Sequence, residues 1–322
     1  MAWVLVLTAA CMCIVAAAMA SAAASDVICR QVGDAHWKLV AAVGIPCSAV
    51  ASLEWSSAAP AVLMAASSAF MAMHVLSERV PSHVSLTISG ALAAASFLAA
   101  QGGPDGWRLL APFASSLLFL AMYHMRVLAG GADAKALIAL AMVPQYPSLP
   151  GVPLLWQAGW PLSAIPLSVS VLVIAVILSL APMICLGIRN AASGSWGPRM
   201  FTEYRMPLDE AERSYVWLVE DVQDGQVVRR RVTEGEREAA SRLRDAGIEE
   251  VAVTPMVPFV AFIAAGLVVA LLIGKPAIRG DEKLRAGMQT ASGSCPTRPL
   301  VYTSHRLYKN ILDVFSMVWI RT

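Results

Sequence analysis

Eight apolar runs occupy residues 2–24, 38–56, 59–77, 83–101, 108–128, 134–147, 164–188 and 256–274. No water-soluble core of this size needs so much apolar sequence: the chain has 322 residues, of which 57% are hydrophobic and only 14% charged. A bilayer core is spanned by about 20 apolar residues in a helix. The expected fold is therefore an all-α polytopic membrane protein with about eight transmembrane helices. Basic loop residues mark the cytoplasmic side of such a chain. Arg30 and Lys38, Arg79, Arg126 with Lys135, and Arg189 with the arginines after it share one face if the chain starts outside and crosses eight times. Glu54, the 102–105 turn and the 147–161 segment then lie outside. This topology describes a multi-pass protein of the cytoplasmic membrane.

The first run ends in small residues, as a signal peptide would, but it lacks a basic start. Its apolar stretch also exceeds the ~7–15 residues of a signal-peptide core, so it is expected to stay as the first membrane helix. No basic-aromatic stripe occurs, which argues against a nucleic-acid partner. The six cysteines contain no C-x-x-C pair, and His36, His74, His83 and His124 are dispersed. Interface packing accounts for these histidines better than ligation, and neither a metal nor a cofactor is expected.

Four segments are expected: a helical core over 1–192, a cytoplasmic insert over 193–253, a last membrane helix over 254–274, and a tail over 275–322 of unknown role. The insert should be a small α+β unit of β-β-α-β order. Tyr215–Asp221 and Gln226–Val232 alternate apolar and polar residues around the turn signal Asp224-Gly225. Thr233 and Glu236 have capping-box spacing for a helix to Ala246, and Ile248–Val253 reads as a further strand. In the tail, Lys275, Arg279, Lys283 and Arg285 run against the charge rule, and 299–320 could lie on the membrane as an amphipathic helix.

Two aspartates stand at ends of apolar runs that the topology puts on one face. Asp26 follows the first run, and Asp133 follows Gly130-Gly131-Ala132 and opens another. A carboxylate at a membrane helix end is either functional or an anchor. Two together can share a proton and activate a water for hydrolysis, one as general base and the other as acid. Gly130 and Gly131 would let the backbone bend and approach an extended substrate. Each aspartate also has a plainer reading: Asp26 as an interfacial anchor, Asp133 as the N-cap of the next helix. Asp34 competes with Asp26, and Lys135 either pairs with an aspartate or marks the inner face.

Ser25-Asp26 with Arg30 and Asp34-x-x-Trp37 resembles the first-aspartate region of archaeal preflagellin peptidases and related prepilin peptidases. Gly130-Gly131-Ala132-Asp133-Ala134-Lys135 is similar to their G-x-G-D signature, and Val253-Thr254-Pro255-x-x-Pro258 to their C-terminal region. The resemblance implies a membrane aspartic endopeptidase with Asp26 and Asp133 as catalytic pair, supported by Gly130, Gly131 and Lys135. Its substrates would be membrane-anchored flagellin-like or pilin-like precursors, which lose a short basic leader at the cytoplasmic face. Two departures stand out. Ala132 replaces the second glycine, which matters only if that residue needs positive φ. Four crossings, where the family has two, separate the aspartates. The cysteine pairs of the methylating bacterial relatives are absent, so proteolysis without methylation is expected. The alternative function is a proton- or cation-coupled transporter using the same aspartates.

Overall fold

The computed structural model describes residues 2–77, 81–100, 104–128, 130–147, 165–223, 225–230 and 235–272. Every one of the eight apolar runs holds a helix. In chain order these are α1 (Ala2–Cys29), α2 (Asp34–Ser52), α3 (Ala58–Leu76), α4 (Ser82–Ala99), α5 (Pro104–His124), α6 (Gly131–Ala141) and α7 (Leu167–Ala192), with the eighth closing the fold. Proline sets several of the starts: Pro81 precedes α4, Pro166 precedes α7, and Pro104 is the first residue of α5. It suits these positions because its missing N–H costs nothing there.

Among the described residues, five helices are long and apolar enough to cross a membrane: Trp3–Cys29, Ala58–Leu76, Ser82–Ala99, Gly106–His124 and Leu167–Ala192. This is a multi-pass membrane protein, and five spans rather than eight are supported by length and composition. The sixth run explains part of the difference. Its helix has only 11 residues. At 1.5 Å per residue it is about 16 Å long, against roughly 30 Å of bilayer core. It is instead wrapped by α2, α3, α5, α7 and the last helix, over Phe259–Leu272, with Ala136 through Val143 buried. Gln145 ends this segment by donating to Leu140 O and Val143 O (both 2.8 Å), while its side-chain oxygen accepts from Ser168 at the start of α7.

Small residues bring these helices together, as is usual in a bilayer. Ser67 of α3 and Ser89 of α4 each donate to the other's main-chain oxygen at 2.8 Å. A Cβ on Gly44 of α2 would lie 2.8 Å from Val143, and one on Gly266 would lie 2.8 Å from the Val171 oxygen of α7.

After α7 and a 3-10 turn (Pro198–Phe201) comes the insert. It contains β1 (Tyr204–Pro207), α8 (Leu208–Ala211), β2 (Val216–Leu218), β3 (Glu220–Gln223), β4 (Gln226–Arg229), α9 (Glu236–Asp245) and β5 (Glu250–Pro255). α10 (Phe259–Leu272) follows. The antiparallel sheet has the order β1-β5-β2, and β3-β4 form a separate hairpin. Alternation located the hairpin and the last strand but missed β1, which is only four residues long. The expected strand Tyr215–Asp221 is two strands, because Val219 changes sheets: its N–H bonds Ala252 O, and its oxygen accepts from Arg230. The residue before α9 is Gly235, φ +70°, in place of the expected Thr233. Thr233, Asp224, Arg79, Gly102-Gly103, most of the 147–161 segment and the whole tail expectation lie outside the described residues. One face of α9 (Ala239, Ala240, Leu243) packs on Leu218, Val251 and Val253 to form the insert's core.

Candidate active site

α1 runs past its apolar stretch and carries Asp26 in its last turn. A negative charge at a helix C-terminus opposes the helix dipole. Here that cost is offset by a second helix end. Pro258 precedes α10, so the first N–H groups of α10 have no partner within their own helix. Asp26 Oδ2 accepts the N–H of Val260 at 3.1 Å and also interacts with that of Ala261. A carboxylate from one end of the sequence thus caps the helix at the other.

α1 stops at Arg30, whose φ of +52° is left-handed and whose N–H returns to Asp26 O at 3.1 Å. This is the αL cap, a position usually held by glycine. The guanidinium lies over the Tyr215 ring, 5.5 Å from its centroid, within electrostatic reach of Asp26. Among the described residues its Nε and Nη1 are buried without a hydrogen-bond partner. Tyr215 donates its hydroxyl to Ile28 O at 3.2 Å, and its main-chain oxygen accepts from Met256. The insert therefore clamps the end of α1 beside the start of α10.

Asp133 is the third residue of α6, and Gly130 is the N-cap. The plain expectation that Asp133 caps this helix is replaced by a related geometry. Its carboxylate reaches back to the N–H of Gly130, as the acid of a capping box does. That contact explains one glycine, since a Cβ on Gly130 would collide with the Asp133 carboxylate. Gly131 is exposed and near the Tyr123 hydroxyl. Ala132 lies inside α6 and does not have positive φ, so no glycine is required there. Asp133 lies within electrostatic range of Asp26, although four helices separate them in the chain.

Lys135 bonds Asp34 at 2.7 Å, so it pairs with neither Asp26 nor Asp133. Asp34 is the first residue of α2, where a negative charge favours the helix dipole. Trp37, one turn on, is fully buried. His36 and His74 make local contacts, with Ser21 and Gly33 O for the first and Ser82 O for the second. Sequence reading did not single out Tyr215 or the α10 N-terminus as parts of the site. For the latter, the signal was Pro258.

The C-terminal side of this site can be compared with known proteins. A family model described as Archaeal Peptidase A24 C-terminus Type II matches residues 198–275. The match supports assigning the chain to the archaeal preflagellin and prepilin peptidase family. The matched A24 region contains Tyr215 and the N-terminus of α10, the two parts that meet Arg30 and Asp26. No curated protein matches the chain. The A24 peptidase region and the long apolar helices together support a membrane peptidase role in general.

Proposed function

We propose that the protein is an aspartic endopeptidase that removes the short basic leader of flagellin-like or pilin-like precursors at the cytoplasmic membrane face. The observation that carries this reading is that Asp26, within electrostatic range of Asp133, caps the start of α10, a helix that belongs to the A24 peptidase match. Two close carboxylates do not both stay ionised easily, so the pair holds one proton. Asp26 has the helix N–H groups and the Arg30 guanidinium beside it, so we assign it the charge and general-base role. Asp133 carries the proton. Water gives a proton to Asp26 as its oxygen attacks the scissile carbonyl carbon, and Asp133 protonates the carbonyl oxygen. As the tetrahedral intermediate collapses, Asp133 takes back a proton from one of its hydroxyls, the C–N bond breaks, and the amine leaves with the proton held by Asp26, which restores both carboxyls to their starting state. A substrate carbonyl would satisfy the unpartnered N–H groups of Arg30.

The substrate's apolar helix would lie in the bilayer, with its leader at the membrane surface. Attraction of that leader by the insert's acids has little support. Asp221 pairs with Arg242, Glu203 with Arg229, and Asp209 and Glu212 with Arg244. Asp26 and Asp133 carry the peptidase role, and Asp34 and Lys135 position the start of α2 against α6.

The test is leader cleavage of a co-expressed flagellin-like or pilin-like precursor. Asp26→Asn and Asp133→Asn should each abolish it while the protein still inserts in the membrane. Asp34→Asn should cleave with a reduced rate. Cleavage that persists in either of the first two variants would remove that residue from the mechanism. No cleavage of any such precursor by the wild type would overturn the peptidase reading.

A further inference from the structure

A second site lies where α7 leaves the membrane. A cleft of about 780 Å³ is formed by the last turn of α7, the 3-10 turn and residues of β1, β4 and β5 of the insert. Arg189, Arg199, Arg205 and Arg229 line it, against the single carboxylate of Glu203. Arg229 is paired with Glu203, and Arg205 lies 3.7 Å from Glu220. Among the described residues no ion pair is formed by Arg189, which stacks over the Tyr204 ring at 5.6 Å, or by Arg199. Two guanidiniums are thus left with uncompensated charge in one concave site. The cleft is well defined, because Asn190 donates to Met200 O at 2.6 Å and Glu203 O at 2.7 Å and so holds the 3-10 turn against α7.

Guanidiniums converging in a cleft fit a phosphate, to which they can donate paired hydrogen bonds. The surroundings distinguish a lipid phosphate from a free one. Val173, Ile177, Leu180, Ile184 and Ile188 form an exposed stripe along α7 at helical spacing, ending one residue before Arg189. Trp196, a cleft residue, is 78% exposed at the same end, as is typical of membrane-interface tryptophans. We propose that this cleft binds the phosphate headgroup of an anionic membrane lipid, whose chains follow the α7 stripe. Basic pockets at the ends of membrane helices hold such headgroups. The site goes beyond the peptidase reading and does not depend on it.

The experiment is lipid titration of the purified full chain in neutral detergent, read as lipid adducts by native mass spectrometry. Wild type should bind short-chain phosphatidylglycerol well below the concentration needed for phosphatidylcholine. Replacing two arginines, as Arg189→Gln with Arg199→Gln, should weaken phosphatidylglycerol binding on the order of 30-fold. Arg237→Gln, on the exposed surface of α9, should leave it unchanged. Equal binding of the two lipids, or unchanged phosphatidylglycerol binding in the double variant, would overturn the proposal. So would inorganic phosphate that displaces the lipid at equal concentration, since the site would then be one for free phosphate. A thermal melt of the double variant matching wild type shows that a loss of binding comes from the cleft and not from unfolding.

Discussion

At the scale of single residues, Gly130 and Arg30 show how backbone geometry shapes the site. Asp133 folds back over Gly130, so a methyl group there has nowhere to go without turning the carboxylate. Gly130→Ala should reduce leader cleavage on the order of 100-fold, as expected when a reacting group moves by about an ångström. Its thermal melt should stay close to wild type. A variant with unimpaired cleavage would show that the placement of this carboxylate is unimportant. Arg30 is the opposite case, a long side chain kept where glycine is favoured. Left-handed backbone costs roughly 1–2 kcal/mol for a non-glycine residue. The cap could be made more easily by glycine, but glycine could not supply the guanidinium beside Asp26.

At the scale of elements, α10 is held on two sides: by Asp26 at its start and by α7 along its length. Gly266 brings α10 against the backbone of α7, where a Cβ would meet the Val171 oxygen and the Ala175 N–H. Main chain cannot rotate away as a side chain can. Gly266→Leu should therefore destabilise the protein by about 1–3 kcal/mol. The check is the midpoint of denaturant unfolding in detergent, and an unchanged midpoint would mean that the helices separate freely. Eight helices were legible in the sequence because long apolar runs are a strong local signal. Asp26 and Asp133 stand out in the sequence because each sits at a break in such a run. Pairings set by tertiary structure were not: Lys135 with Asp34 spans 101 positions, and Asp26 with Val260 spans 234. β1 escaped notice because four residues are too few to show alternation.

At the scale of the whole molecule, the placement of basic loop residues predicts which ends of the helices share a face. The α1–α2 turn and the α7–insert junction should face the cytoplasm, and the α2–α3 turn should face outside. In a cysteine-less background, Gly33→Cys has open space around it, and Ser195→Cys lies in the exposed junction. Both should be shielded from an impermeant thiol reagent added to whole cells and react after permeabilisation. Ser56→Cys in the α2–α3 turn should react in whole cells. Labelling of residues 33 and 56 from the same side would rule out α2 as a crossing helix.

The tie between Asp26 and Val260 also has a meaning in time. A ribosome adds about 5–20 residues per second, so the 234 positions between them take roughly 10–50 s to make. During that interval α1 is already in the membrane with its carboxylate uncapped, and the site is unfinished. The two partners of this contact thus come into being far apart in time. A half-made copy, however well inserted, lacks the helix end that Asp26 caps.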